Sequence, residues 1–209
     1  MAISYPRTLP FNDCIDAVFT ITRQNQKSRT RAGASQVLNT GTSYWMAEIE
    51  TLPISGRDRL ALVAWMESLR GGLKTAYIFD ASAKRPRAYA AALPGGMSAG
   101  GFDVTSVAAN AIGVSGLPSG FQFKVGDKIG LVEGAKRALH HVVEDVTGSS
   151  VTLSVEPEVR LSLFSTSATL TVEKPVMEAI PAEEGAIEFS TRAGRETMIL
   201  RFMEYIRES

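Results

Sequence analysis

The chain has 209 residues, of which 44% are hydrophobic and 21% are charged, and its formal net charge is zero. A chain of this length and composition has enough apolar surface for a hydrophobic core, in one large domain or two small ones. The longest apolar run near its one recognisable helix, LALVAW, is far too short for a membrane span. A single cysteine, Cys14, excludes an intrachain disulfide and a cysteine-based zinc site.

The first residues, MAISYPRTLPF, lack the basic start and the long apolar segment of a signal peptide. We therefore expect synthesis and residence in a reducing cytosol. The next segment, CIDAVFTITRQ, alternates apolar and polar residues, which is typical of a half-buried strand. Residues 43–53 alternate in the same way, so Trp45, Ala47 and Ile49 are predicted to face one side of a strand that ends at Pro53.

A polar segment, QNQKSRTRAGAS, lies between these two strands, and we predict a loop there, followed by a short strand, QVLNTG. No acidic residue occurs between Asp16 and Glu48, and this interval contains Arg23, Lys27, Arg29 and Arg31. A solvated hairpin loop accounts for the pattern without any function. The functional interpretation is an electrostatic contact with an acidic partner surface or with a nucleic-acid backbone.

One amphipathic helix is predicted over residues 55–70. Ser55 is a suitable N-cap residue, and Gly71-Gly72 supplies a left-handed stop. An apolar stripe at helical spacing predicts a core face against the strand that follows, LKTAYIFDA. The predicted core residues of the helix and this strand are Leu62, Trp65, Met66, Leu69, Tyr77 and Phe79.

Residues 81–101 are rich in Ala, Gly and Pro, which favours an exposed connection. Short strands with turn residues between them then predict a small antiparallel barrel or sandwich. The last strands, over 182–190 and 195–206, are predicted to return to the first sheet. The chain is therefore divided into residues 1–100 with 173–209, which hold the helix, and an inserted β domain over residues 101–172.

Residues with the spacing of a catalytic or metal site are scarce in this sequence. His140 and His141 are adjacent on a predicted strand and should point to opposite faces, one partly buried and one exposed. No third histidine, nucleophile-elbow motif or phosphate-binding glycine loop accompanies them. We therefore predict that the protein is not an enzyme and has no catalytic residues, bound metal or cofactor.

The order of elements resembles that of tail proteins of long-tailed bacteriophages and prophages, of the distal tail protein kind. The resemblance is carried by YPRTLP, by YWMAEIETLPIS, by the closing FSTRAGRETMILRFMEYI and most specifically by SLRGGLKTAYIFDASAKRPRAY. The middle segment, FKVGDKIGLVEGAKRALHHVVEDV, is similar to the small β insertion of such proteins. The similarity covers most of the chain and is a pattern of elements, without invariant catalytic residues.

The resemblance implies a tail-tube-like antiparallel β-sandwich with one packed helix and an inserted small β domain. It also implies a homohexameric ring that joins the tail tube protein to the tail hub and baseplate proteins. The protein would be made in the bacterial host cytoplasm and reside at the virion tail tip, with no membrane insertion and with DNA present only in transit through the channel. Longer family members carry a second, carbohydrate-binding-like domain after the core, and this sequence shows no counterpart for direct receptor binding.

Two other functions are compatible with the sequence. The first is a monomeric binding module whose small β domain recognises a carbohydrate or a peptide. The second is an enzyme whose site is assembled from scattered residues. Size-exclusion chromatography with light scattering discriminates the ring from the module, because a hexamer supports assembly, whereas a strict monomer with a saccharide ligand supports the module.

Overall fold

A computed structural model of the chain describes residues 3–29, 31, 33–94, 97, 101–182, 186–192 and 195–206. One α-helix lies among these residues, α1 (Gly56–Glu67). In chain order the strands are β1 (Arg7–Thr8), β2 (Cys14–Thr22), β3 (Asn25–Arg29), β4 (Ser35–Asn39), β5 (Tyr44–Thr51), β6 (Ala76–Phe79), β7 (Phe102–Ala108), β8 (Ala111–Ser115), β9 (Gln122–Phe123), β10 (Lys128–Glu133), β11 (Lys136–Val142), β12 (Val146–Thr147), β13 (Val151–Glu156), β14 (Thr169–Thr171), β15 (Val176–Pro181), β16 (Ile187–Arg192) and β17 (Arg195–Glu204).

The strands form one large sheet, one closed barrel and two small sheets of two strands each, β9 with β12 and β3 with β4. The sheet has the order β1–β6–β15–β17–β5–β2, and β16 also pairs with β17. Its pairs are antiparallel except for β1 with β6. The barrel has the order β10–β11–β13–β8–β7–β14 and is inserted between β6 and β15. The predicted fold class is confirmed: the protein is mainly β, with one packed helix and a small inserted barrel.

The helix begins as its sequence predicts and ends earlier. The side chain of the N-cap residue Ser55 accepts a hydrogen bond from the Asp58 backbone N–H at 3.2 Å, which satisfies one of the free amide groups of the first turn. The helix ends at Glu67, three residues before the predicted boundary. A 3₁₀ turn over Arg70–Gly72 follows, in which Gly71 takes a positive φ of 60°, so the double glycine redirects the chain after the helix.

The core of the sheet lies under this helix. Leu62, Trp65, Met66 and Leu69 are all buried in a cluster that also holds Phe79. The Trp65 ring meets the Phe202 ring edge to face, with centroids 6.2 Å apart. Tyr77 is half-buried, and its ring lies beneath the Arg137 guanidinium of the barrel at 5.6 Å. Trp45, Ala47 and Ile49 are buried on the same side of β5, as their alternation predicts.

The barrel is filled by its own side chains. Its core contains Val114, Phe121, Phe123, Leu131 and Leu153, all nearly inaccessible to solvent. The aromatic rings of Phe121 and Phe123 are in edge contact, with centroids 5.0 Å apart. A barrel of six strands is narrow, and side chains of this size occupy its interior.

The barrel and the sheet share a contact that includes core residues of both. The Trp45 indole N–H donates a hydrogen bond to the Leu139 carbonyl of β11 at 2.7 Å, and Leu139 belongs to the buried cluster of the sheet. Arg160 pairs with the buried Glu204 carboxylate at 3.3 Å. Independent folding of the inserted domain stays a prediction.

The expectation of an exposed connection over residues 81–101 is wrong for its first part. Tyr89 stacks on the buried Phe121 ring with centroids 4.6 Å apart, and its hydroxyl accepts a hydrogen bond from the Gln122 N–H at 3.0 Å. Leu93 and Met97 also pack against the barrel core. These few apolar side chains attach a segment whose Ala, Gly and Pro content suggested a free linker. Residues 95, 96 and 98–100 lie outside the described residues.

Candidate interaction surface

The basic segment forms a two-stranded hairpin. Strands β3 and β4 pair in antiparallel register, from Asn25 opposite Asn39 to Arg29 opposite Ser35. The short strand predicted for QVLNTG is confirmed as β4, whereas the loop predicted before it contains β3. The polar residues of β3 show no apolar alternation, because the pairing satisfies backbone groups and buries almost nothing. Every described residue from 23 to 40 is exposed, so the hairpin projects from the protein. We refer to residues 25–39 as the hairpin.

The base of the hairpin is held by a small set of contacts. The Thr40 N–H and hydroxyl both donate to the Gln24 carbonyl, at 2.8 and 2.7 Å. A side chain at Gly41 would place its Cβ only 2.1 Å from the Gln24 amide oxygen, so glycine at this position leaves room for the Gln24 side chain. The two ends of the hairpin therefore enter and leave the protein side by side.

The hairpin has two chemically different faces, because successive strand residues point to opposite sides. Lys27 lies directly opposite Val37, and Arg29 is on the same side as Lys27. We call this side the basic face. The other side carries uncharged residues, which are Gln26, Ser28, Gln36 and Leu38.

The structure separates the four predicted interaction residues. Lys27 and Arg29 lie on the basic face, and Arg31 lies in the connection between the two strands. Arg23 precedes the hairpin and forms an ion pair with Glu156 of the barrel at 3.1 Å. Arg23 therefore helps to attach the base of the hairpin to the barrel, a contact that no local sequence feature indicated.

Sequence reasoning missed two apolar residues of the hairpin. Val37 and Leu38 are 59% and 64% exposed, on opposite faces. Neither Lys27 nor Arg29 has an acidic partner within 4 Å among the described residues. A hairpin of two strands is marginally stable in water by itself, so this one is suited to contact with another molecule. The signal in the sequence was the pair VL within an otherwise polar segment.

The two histidines lie on opposite faces of β11. The His140 Nδ1 donates to the Pro157 carbonyl at 2.8 Å, and burial lowers the pKa of His140 to about 4. His141 points to the other face of β11, where its ring meets Trp45 at 5.6 Å. Burial lowers the pKa of His141 as well. His141 is half-buried rather than exposed as expected.

Within the residues that the structure describes, no group of three or more His, Cys, Asp or Glu side chains could hold a metal ion. No helix in that part of the chain is long and apolar enough to cross a membrane. Comparison with protein-family models and with curated protein sequences gave no match. The hairpin is the candidate interaction surface of this protein.

Proposed function

We propose that this chain is a structural protein of a long-tailed phage tail tip, where copies assemble into a ring between the tail tube and the hub with its receptor-binding apparatus. The resemblance to distal tail proteins supports this function. So does the combination of one large sheet, one packed helix and an inserted barrel. In this proposal the protein is a virion component, its partners are other tail proteins, and it performs no catalysis.

The exposed hairpin is the main structural support for assembly. It holds Val37 and Leu38 in water together with two cations that have no acidic partner among the described residues. Burying such residues against another subunit removes apolar area from water at about 25 cal/mol per Å². A monomer gains nothing from them. The alternative, a monomeric module whose small β domain recognises a carbohydrate or a peptide, receives less support, because it gives the exposed hairpin no partner and the barrel core is occupied by side chains such as Phe121 and Leu131.

The test compares the wild-type protein with a variant that lacks the hairpin. Residues 25–39 are replaced by Asn-Gly, which forms a tight turn between strand ends that already lie side by side. Sedimentation velocity and electron microscopy should show rings for the wild-type protein and folded monomers for the variant. Circular dichroism provides the control for folding.

A strictly monomeric wild-type protein at every concentration up to its solubility limit, with no recruitment to purified tail tubes, would contradict the proposal. The neighbouring genes offer an independent check. A tape-measure gene upstream and a hub gene downstream are expected on the proposed function.

A further inference from the structure

The sheet has a solvent-facing side that neither the helix nor the barrel covers among the described residues. Directly opposite residues of paired strands share a side, so Val18, Glu48 and Arg201 follow one another across β2, β5 and β17. Asp16 lies two residues before Val18 on the same side. We call this surface the outer face, and Glu188 of β16 completes it.

The side chains that the structure describes on the outer face carry more negative than positive charge. The Arg201 guanidinium lies between the Glu48 and Glu188 carboxylates, at 2.7 Å from each. Asp16 is exposed, and one of its oxygens accepts only the neighbouring Ala17 N–H at 2.8 Å. Glu50 lies directly opposite Asp16 on the same side, so among the side chains that the structure describes four carboxylates accompany one guanidinium across these four strands.

An apolar strip runs beside these charges. Val18 is 51% exposed, and it borders a shallow groove of about 240 Å³ together with Thr20 and Met46. The alternate residues of the same strands, such as Ala47 and Phe202, face the buried core. The outer face therefore presents an exposed valine among carboxylates.

The basic face of the hairpin has the matching arrangement, with Val37 beside Lys27 and Arg29. Residues two apart on a strand are separated by about 7 Å, and the same spacing separates Asp16 from Val18. Val18 is therefore bordered by negative charges, and Val37 is bordered by positive charges. Complementary patches of this kind fix the register of an interface and speed encounter.

We infer that the basic face of the hairpin of one copy binds the outer face of the sheet of a neighbouring copy, with Val37 against Val18. The inference rests on the proposed ring assembly and names the two surfaces that form its contact. Because the two surfaces differ, the contact is heterologous. Repetition of a heterologous contact generates a closed ring or an open filament.

The first experiment moves the charges without changing composition. The transposed variant carries Gln26→Lys, Lys27→Gln, Ser28→Arg and Arg29→Ser, which transfers both cations to the other face of the hairpin. We expect self-association at least about tenfold weaker, because both cations then point away from the acidic outer face. Sedimentation velocity measures the association.

The second experiment tests that the two surfaces meet in trans. The acceptor variant Val18→Lys places a cation in the outer face. The transposed variant and the acceptor variant should each be monomeric alone. An equimolar mixture should give dimers and nothing larger, because it contains one intact hairpin and one intact outer face per pair.

The third experiment maps the contact by disulfide trapping in a Cys14→Ser background. Val37→Cys and Val18→Cys proteins, mixed under mild oxidation, should form a covalent heterodimer on a non-reducing gel. Two matched controls should not. Leu38→Cys lies on the opposite face of the hairpin, and Val125→Cys is equally exposed but lies on the barrel.

These experiments distinguish failure of the inferred contact from failure of the ring assembly. If the wild-type protein forms rings and the transposed and acceptor variants do so equally well, the inference is wrong while the ring assembly stands. If the wild-type protein does not associate at all, the proposed assembly fails and the inference fails with it. Salt-sensitive binding of a duplex DNA probe, lost in the transposed variant while rings persist, would overturn the inference in favour of nucleic-acid contact.

Discussion

The Lys128 ammonium of the barrel and the Asp80 carboxylate at the end of β6 form an ion pair that is almost completely withdrawn from water. Their side chains are 12% and 4% exposed. The ammonium also lies 4.1 Å from the centre of the Phe19 ring. Burial lowers the pKa of Lys128, and Asp80 opposes that change. This pair joins the inserted barrel to the sheet.

Breaking the pair from one side should be costly. Asp80→Asn leaves a buried ammonium without its counter-charge, and we expect the free energy of unfolding to fall by about 3–5 kcal/mol. Adding Lys128→Met should restore part of the loss, because the unpaired charge is then absent. Urea titration measures both variants. The exposed Lys84–Asp13 pair is the control, since Lys84→Met should change stability by about 0–1 kcal/mol. Equal effects at both pairs would show that burial is not the cause.

His140 should make stability depend on pH. Its pKa in the folded protein is about 4, below the ordinary value of 6.5, so between these values the unfolded chain binds the proton and the folded protein does not. Stability is therefore fully present above pH 6.5 and decreases as the pH falls towards 4, by about 3 kcal/mol. The buried Glu204, whose pKa is raised by burial, acts in the opposite direction.

The contribution of His140 is therefore measured as the difference in stability between the wild-type protein and a variant without this histidine. The free energy of unfolding is determined from pH 7 to pH 4 for the wild-type protein and for His140→Gln. The variant should lose the decrease that belongs to His140. Parallel curves for the two proteins would show that His140 does not titrate between folded and unfolded states in this range.

The helix should depend on its buried tryptophan. Trp65→Ala removes the ring that contacts Phe202, and we expect a loss of about 3–5 kcal/mol in the free energy of unfolding. Leu60→Ala on the same helix is the control. Leu60 is largely exposed, and its truncation should change stability by no more than about 0.5 kcal/mol. An unchanged thermal midpoint for Trp65→Ala would contradict the packing described above.

Tyr89 should protect the segment before the barrel from proteolysis. In Tyr89→Ala both the stacking on Phe121 and the hydrogen bond from Gln122 are lost. Limited proteolysis should then cleave within residues 81–94, whereas the wild-type protein should resist there. Tyr89→Phe keeps the stacking and should stay resistant. Early cleavage of the wild-type protein in this segment would favour the free linker that composition suggests.

Local patterns in the sequence were sufficient for the helix and for β5. The apolar residues of the helix repeat at helical spacing, as Leu62, Trp65, Met66 and Leu69 do. In β5, Trp45 alternates with polar neighbours. The buried side of each element can therefore be predicted from its own residues. The barrel was also predictable, because its strands are short and separated by turn residues.

The first strand of the hairpin and the anchored segment were not predictable in this way. Strand β3 is defined by its pairing with β4, and its polar residues bury no face that a pattern could reveal. Tyr89 is a single aromatic residue in an Ala-rich segment, and only its partner Phe121 shows that it is an anchor. Ion pairs such as Arg23 with Glu156 join residues far apart in the chain, so neither sequence segment indicates the other.

The position of the barrel between two paired strands has a consequence for folding kinetics. Val176 of β15 lies opposite Phe79 of β6, although the entire barrel separates them along the chain. Closing so long a loop in an unstructured chain is entropically unfavourable and slow. The first and last barrel strands pair with each other, and the Lys174 N–H donates to the Lys84 carbonyl at 2.7 Å. A barrel that forms first would bring β6 and β15 together, and we therefore expect the large sheet to be completed no faster than its insertion folds.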